Sequence, residues 1–304
     1  MTTAAEQSAA IPRSYLHAVK WTVPIFAIGM LRKLLPLSFR KALVLRLAKS
    51  RLHGLYRLTF LLLEDFSRDD PSGFQKFLWS HHLGHAESYE LNRRFGKSNL
   101  EPTRRLMLER VAAELRKQAI DPETDVQSAL DVGCSLGHVL RFVETEFFPA
   151  ASVLEGIDLD SYAIEKGSEY LRDTGSKASL ACADLSSLSK TIAGKNYDVI
   201  LCFGVLMYVD EQTAAQAIKS MLQHTKMLLA VSTWPHPEID NRSLPQSVPA
   251  PGLVKNRADL MDGVLIHNLD RMATAAGGKI VSRCWTGAEV VQGDKPLYYL
   301  LVRP

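Results

Sequence analysis

From about residue 121 onward, short apolar runs alternate with longer stretches of helical periodicity, and this limits the possible folds of the 304-residue chain more than any other feature. Helical stretches such as 139–148 and 211–223 lie between most of the runs. Seven runs are typical of strands: 129–132, 153–158, 180–183, 198–203, 227–231, 279–284 and 297–302. Strand–helix alternation predicts βαβ units, and therefore an α/β fold with helices on both faces of a parallel sheet.

The last two runs differ from the others. Only about a dozen residues separate them, and no helical pattern fits between them. Because a parallel crossover usually carries a helix, an antiparallel hairpin suits this gap better. The sequence therefore predicts a mostly parallel seven-stranded sheet with a terminal antiparallel strand.

The first part of the chain has a different character. Residues 1–10 are small and polar and are typical of a frayed tail. Residues 11–120 show helical patterns punctuated by breakers, among them the Asp69–Gly73 cluster, and no convincing alternating strand. We therefore expect a disordered tail over 1–10, an all-helical N-terminal or cap region over 11–120, and the α/β domain over 121–304.

Composition places the chain among globular proteins of a reducing compartment. It is 46% hydrophobic and 23% charged, and its four cysteines are scattered without a CxxC pair. The longest uncharged run near the N-terminus, 21–31, has eleven residues, whereas a bilayer-spanning helix needs about 20. We expect a cytoplasmic protein without a transmembrane helix.

Positive charge is concentrated at the front. Residues 1–60 contain ten Lys or Arg against one acid, a net charge of +9, and the remainder carries −6. One interpretation of the basic segment 11–63 is peripheral contact with an anionic membrane, at the inner membrane face. The other is a helical subdomain packed on the sheet, with its charges outward. No nucleic-acid-binding module is visible, so a nucleic-acid partner is not expected.

Residues 130–138 read LDVGCSLGH and carry the chemistry. A strand ends in an acid, a glycine-containing loop follows, and an amphipathic helix begins. Gly133 lets the backbone approach a ligand closely, Gly137 permits a tight entry into the helix, and the helix N-terminus offers free amides. The dinucleotide fingerprint G-x-G-x-x-G has Ser135 at its middle glycine, and Asp131 would repel a pyrophosphate. The acid suits a cofactor with an ammonium group and no phosphate.

The pattern D-x-G-C-S-x-G resembles the first motif of class I S-adenosylmethionine-dependent methyltransferases. This resemblance implies a Rossmann-like sheet, S-adenosyl-L-methionine as cofactor and methyl transfer as activity. Asp158 lies 21 residues beyond Gly137, where the family's acid accepts hydrogen bonds from the ribose hydroxyls. Asp184 follows the third strand, where the family places an acid against the adenine amino group.

Residues 197–206 resemble the family's fourth strand and the loop that flanks the methionine moiety. The cofactor-binding residues implied by the resemblance are Asp131, Gly133, Cys134, Ser135, Gly137, Asp158, Leu159, Asp184, Leu185 and Phe203. A dinucleotide-dependent oxidoreductase is the alternative enzyme class, and the missing middle glycine counts against it. A non-enzymatic membrane- or partner-binding protein that keeps this fold is the third hypothesis.

Histidines supply the candidate bases. Residues 202–205 read CFGV instead of the Asn/Asp-Pro-Pro-Tyr loop that nucleobase and glutamine N-methylating branches share, so we expect O-methylation of a small-molecule, lipid or saccharide acceptor. A hydroxyl acceptor needs a base. We single out His82 and His85, within a histidine-rich stretch, and His236, in a Pro-rich loop over 235–251 that has the length of a lid or binding segment. We expect no bound metal.

Overall fold

The computed structural model describes residues 30, 32–48, 60–83, 100–250, 264–285 and 297–304. Its contacts divide the chain into two compact units, one of 1–69 with 254–259 and one of 70–253 with 260–304. The division at residue 120, expected from the sequence, stays a prediction. Within the described residues, no helix is long and apolar enough to cross a membrane.

The first unit contains helices α1 (Leu37–Ala48) and α2 (Glu64–Asp69), with a 3-10 turn over Phe60–Leu63. Arg40 is almost fully buried, donates to the carbonyl of Leu62 at 2.6 Å and pairs with the carboxylate of Asp65. These contacts join α1 to the segment that leads into α2.

The second unit contains the other helices and strands, which alternate from β1 to β5. The helices are α3 (Pro71–Ser80), α4 (Pro102–Lys117), α5 (His138–Phe142), α6 (Ser161–Asp173), α7 (Leu188–Thr191), α8 (Glu211–Gln223) and α9 (Leu269–Ala275). The strands are β1 (Ser128–Val132), β2 (Val153–Asp158), β3 (Ser179–Cys182), β4 (Tyr197–Cys202), β5 (Thr225–Thr233), β6 (Val248–Pro249), β7 (Leu265–Ile266), β8 (Lys279–Trp285) and β9 (Tyr298–Arg303).

Seven strands form one sheet in the order β3-β2-β1-β4-β5-β9-β8. Strands β1 to β5 pair in parallel, whereas β9 is antiparallel to both of its neighbours. The predicted mostly parallel seven-stranded sheet with a terminal antiparallel strand is thus confirmed. The small antiparallel pair β6-β7 lies outside this sheet and was not predicted.

Alternate residues of each central strand face two apolar layers. Val199 and Leu201 of β4 pack with the apolar face of α4, and Ile200 and Cys202 pack with α7, α8 and α9. Strand β4 is therefore buried on both faces, as is typical of a parallel sheet. All strands from β1 to β5 end at the same edge, and the site is built at that edge.

At the opposite edge, the carboxylate of Asp198 joins three strands. It accepts from the amides of Gln127 and Ser128 at 2.8 and 2.9 Å, and the ammonium of Lys226 lies 3.2 Å away. Burial alone would raise the pKa of Asp198, but these donors outweigh burial and lower it. This contact fixes the register of β1, β4 and β5 at the end remote from the site.

Candidate active site

The loop after β1 is folded against the end of β2. The amides of Gly133 and Cys134 both donate to the carbonyl of Ile157, at 2.7 and 3.0 Å. Ser135, at the middle position of the glycine fingerprint, has a left-handed backbone with φ of 50°. Its amide donates to Asp158 at 2.8 Å. The serine thus adopts the conformation that a glycine usually takes, and the loop keeps its shape.

Gly133 is required for a reason that the sequence did not show. Its φ is 81°, and a Cβ at this position would overlap the side chain of Val205 in the loop after β4. The glycine therefore allows the loops after β1 and β4 to pack together. Gly137 also has positive φ and caps α5, and a Cβ there would lie 2.8 Å from Leu171.

Asp158 connects the loops after β1 and β2. One carboxylate oxygen accepts from the amide of Ser135 at 2.8 Å, and the other accepts from the amide of Asp160 at 2.9 Å. Burial raises the pKa of Asp158, and the two amides oppose that shift. Each carboxylate oxygen has a second lone pair, so the group can still accept hydrogen bonds from a ligand hydroxyl.

Asp184 occupies the corresponding position after β3. One oxygen accepts from the amide of Ser186 at 2.9 Å, and the other lies 2.6 Å from the ammonium of Lys76 in helix α3. Burial would raise the pKa of Asp184, but Lys76 and Ser186 outweigh burial and lower it. The group is a carboxylate at neutral pH, and it faces the same space as Asp158.

A cavity of about 360 Å³ lies at this edge of the sheet, a size typical of small-molecule sites. The predicted cofactor residues on its wall are Gly133, Ser135, Asp158, Leu159, Asp184, Leu185 and Phe203. The structure therefore brings together residues from four consecutive strand ends. Hydroxyl and amino groups of a ligand in the cavity can donate to the carboxylates of Asp158 and Asp184. The residues on the wall therefore fit a nucleoside with a polar tail.

Three other predicted cofactor residues are not on the cavity wall. Cys134 is buried against Leu140 and Ile164, and burial raises the pKa of its thiol well above the usual range, so it is a packed side chain. Gly137 shapes the start of α5. Asp131 is 4% exposed, and burial raises its pKa to about 7, with Arg104 opposing and Asp158 reinforcing that shift. Cofactor contact by these three residues stays a prediction.

Helix α3 supplies a wall of the cavity that the sequence did not predict. Ser72, Gly73, Lys76 and Trp79 share one helical face and line it. The Trp79 indole lies against the Tyr208 ring, with centroids 4.7 Å apart, and donates to the buried side chain of Gln75 at 3.0 Å. Asp70 and Pro71, which belong to the cluster of helix breakers predicted from the sequence, stand at the start of this helix. The carboxylate of Asp70 caps the helix by accepting from the amide of Gly73.

Arg104 of α4 is the second addition. Its guanidinium donates to the carbonyl of Phe203 at 2.8 Å, lies 5.9 Å from the ring of that residue, and lines the cavity. The two residues are 99 positions apart, and no local pattern links them. Arg104 also places a positive charge near Asp131, and this charge opposes the rise that burial causes in the pKa of Asp131.

Two of the three predicted bases have hydrogen-bond partners within the protein. His82 is buried and donates from Nδ1 to the carboxylate of Asp160, and it is not among the residues that line the cavity. The Nδ1 of His236 accepts from the amides of Glu238 and Ile239, so in its neutral form Nε2 carries the proton and offers no lone pair. His85 lies outside the described residues. A catalytic role for each of the three stays a prediction.

The Pro-rich loop after β5 is held by buried polar groups. The side-chain amide of Asn241 donates to the carbonyl of Trp234 at 2.8 Å and also to that of His267. His267 donates from Nε2 to the carbonyl of Leu206 at 2.8 Å, and its Nδ1 lies 2.6 Å from the hydroxyl of Ser247. The described part of this loop is therefore tied to the segment that presents Tyr208 to the cavity. Its role as a lid stays a prediction.

The residues that the structure describes contain no candidate metal site. No group of three or more His, Cys, Asp or Glu side chains lies there in an arrangement that could hold a metal ion.

Residues 129–227, which run from β1 into β5, match the family model of a methyltransferase domain. Comparison with curated protein sequences gives no match. Magnesium protoporphyrin IX methyltransferase from Synechocystis PCC 6803, solved with bound S-adenosylmethionine, superimposes with a TM-score of 0.50 at 14% identity, over 76% of this chain and 97% of that one. At that identity the similarity concerns the fold.

A second solved structure is similar over a comparable length. An S-adenosylmethionine-dependent methyltransferase from Clostridium acetobutylicum ATCC 824 is 11% identical over 71% of this chain and 98% of that one, with a TM-score of 0.49.

The packing at Gly133 predicts the outcome of a substitution. Gly133→Ala should destabilise the protein by about 1–2 kcal/mol for the left-handed backbone and about 1–3 kcal/mol more for overlap with Val205. The matched control is Gly194→Ala, because Gly194 has φ of 75° and no atom within 4 Å of the added Cβ. Urea unfolding measures both, and adding Val205→Ala should recover part of the loss. Equal losses for Gly133→Ala and Gly194→Ala would refute the packing argument.

Proposed function

Because the chain carries a class I S-adenosylmethionine-dependent methyltransferase domain, we propose that it methylates an oxygen of a small-molecule, lipid or saccharide acceptor held beneath helix α3. The observation that carries this proposal is the composition of the cavity wall. One part consists of Arg104 and the strand-end residues that suit the cofactor, and the other includes Trp79 and Tyr208. Two aromatic rings, one of which carries a hydroxyl, suit a small acceptor with an apolar body and a polar group.

The cofactor residues take the following roles in this proposal. The free lone pairs of Asp158 accept from the ribose hydroxyls, and Asp184 accepts from the adenine amino group. Asp131 faces the ammonium of the methionine moiety, and Arg104 faces its carboxylate. When bound, S-adenosylmethionine would supply the methyl group from its sulfonium and leave as S-adenosylhomocysteine. The protein would align the acceptor and exclude water, and the proton of the acceptor hydroxyl would pass to a base, a role for which His85 stays a prediction.

The loop after β4 supports oxygen as the accepting atom. Its residues Phe203, Gly204 and Val205 line the cavity where N-methylating branches of the family resemble one another in an Asn/Asp-Pro-Pro-Tyr loop. Tyr208 lines the same space. Burial raises the pKa of Tyr208 to about 12, with Arg104 opposing that shift. The phenol is therefore protonated at neutral pH and donates a hydrogen bond to the acceptor.

Calorimetric titration with S-adenosylhomocysteine tests the cofactor site, with NAD as the parallel ligand. We expect micromolar binding of S-adenosylhomocysteine alone. Asp158→Ala should weaken it by about 1.5–3 kcal/mol, roughly 10- to 150-fold, because charge-assisted hydrogen bonds to the ribose are lost. Asp173→Ala, at an exposed acid of α6, is the control and should leave affinity unchanged. Binding of NAD in place of S-adenosylhomocysteine would sink the proposal.

The acceptor class is tested with a radiolabelled methyl donor and separated lipid, saccharide and small-molecule fractions. Label in an O-methyl product supports the proposal. Label confined to nucleic acid or to amine nitrogens contradicts it.

Arg104 should act on the amino-acid end of the cofactor. Arg104→Gln should weaken the binding of S-adenosylhomocysteine by roughly 10- to 150-fold, because a hydrogen bond to a charged group contributes about 1.5–3 kcal/mol. It should leave 5′-methylthioadenosine, which lacks that end, within about twofold. Arg105→Gln is the matched control, since Arg105 pairs with Glu146 at 2.7 Å. Equal loss of both ligands would place Arg104 at the nucleoside instead.

The exposed apolar side chains of the first unit support peripheral membrane contact through residues 11–63. Leu34 is 74% exposed, Phe39 is 55% exposed, and both belong to the segment of high positive charge. Leu34→Ser with Phe39→Ser should reduce co-sedimentation with phosphatidylserine vesicles several-fold. Ile239→Ser, at an exposed apolar residue of the second unit, should not. Unchanged sedimentation of the double variant would end this interpretation.

A further inference from the structure

His82 stands out among the side chains that the proposed chemistry does not use. It lies two residues beyond the end of α3 and is only 1% exposed. Its Nδ1 donates to the carboxylate of Asp160, which is 78 residues away in the chain, and its ring lies 4.9 Å from that of Tyr162. A buried carboxylate needs such a partner, because an unpaired charge away from water is costly.

The backbone of His82 is strained. Its φ is 59°, a left-handed conformation that is unfavourable for a residue with a side chain. Such conformations persist where the surrounding structure determines them, and they cluster at functional sites. Here the contact with Asp160 is the interaction that the conformation makes available.

Asp160 links His82 to Asp158, the acid proposed to bind the ribose. One of its carboxylate oxygens caps α6 by accepting from the amides of Tyr162 and Ala163, at 3.1 and 3.0 Å. Its own amide donates to Asp158 at 2.9 Å. The other oxygen of Asp158 accepts from Ser135. A continuous chain of hydrogen bonds therefore runs from His82 through Asp160 to Asp158 and the loop after β1.

Two further contacts fix the same segment to neighbouring strand ends. Lys76 pairs with Asp184 after β3, and Trp79 packs against Tyr208 after β4 with the two rings tilted. His82 completes the set at the loop after β2. Because the three contacts reach three separate loops, the segment from Pro71 to His82 has a defined position over the cavity.

We propose that His82 is a positioning residue for the cofactor ribose: by holding Asp160, it fixes the loop after β2 and orients the Asp158 carboxylate toward the ribose hydroxyls. The inference rests on the proposed role of Asp158. It assigns His82 no contact with the cofactor and no proton transfer. Its consequence is that the orientation of Asp158 depends on the position of the segment from Pro71 to His82, which also forms a wall of the cavity.

The test compares S-adenosylhomocysteine with its 2′-deoxy analogue by calorimetry on the full chain. The wild type should favour the ribose form, because Asp158 accepts from the 2′-hydroxyl. His82→Ala should lose at least tenfold in affinity for the ribose form and most of that preference. His82→Asn should retain both, because asparagine tolerates left-handed backbone and its amide can donate to Asp160. His81→Ala, at the exposed neighbour, is the control and should match the wild type.

Loss of affinity with an unchanged preference for the ribose form would overturn the proposal, as would wild-type behaviour of His82→Ala. If His82→Ala does not fold, nitrogen NMR of the histidine rings in the wild type without any ligand decides the matter. A proton on Nδ1 of His82 supports the contact with Asp160, and a proton on Nε2 alone overturns it. Failure of the wild type to bind S-adenosylhomocysteine would instead refute the proposed function and leave the NMR result standing.

Discussion

The carboxylate of Asp158 holds the site together, because it joins the two loops that a nucleoside must contact at once. One oxygen binds the amide of Ser135 and the other binds the amide of Asp160. The serine of the loop after β1 adopts a left-handed backbone. Without an acceptor at position 158, the amides of Ser135 and Asp160 would lose this partner. The acid is therefore structural before any ligand arrives, and its remaining lone pairs serve recognition.

The sheet was predictable because its signal is periodic and local. The predicted strand over 153–158 and helix over 211–223 have the observed bounds, and the antiparallel β9 follows from the short gap before it. The sequence is less informative where one residue type can either end or start a helix. Asp70 and Pro71 look like a breaker, yet the same pair caps and starts α3. The two-residue strands β6 and β7 are too short to have a pattern, and tertiary contacts define them.

The cofactor half of the site was also predictable, since its residues follow strands at motif spacing, and the cavity unites Gly133, Asp158 and Asp184. The residues that helices α3 and α4 add to the cavity wall were not predictable. Arg104 donates to Phe203 across 99 residues, and Trp79 packs against Tyr208 across a still longer separation. Such pairs leave no trace in spacing. The histidines were chosen because a titratable ring suggests chemistry; the structure adds that His82 and His236 have hydrogen-bond partners in loops of the protein, and their catalytic role stays a prediction.

Three contacts hold α3 and the residues that follow it, and they limit how the specificity of such a site can change. Lys76, Trp79 and His82 each contact a loop that also faces the proposed cofactor site, so a shift of α3 disturbs cofactor residues. Ser72 and Gly73, on the same face, line the cavity without such an anchoring role in the described contacts. A substitution at position 72 can therefore alter the acceptor wall at little cost to the cofactor site, whereas a change at 76, 79 or 82 affects both. Variation in acceptor choice should consequently concentrate on the unanchored positions of α3.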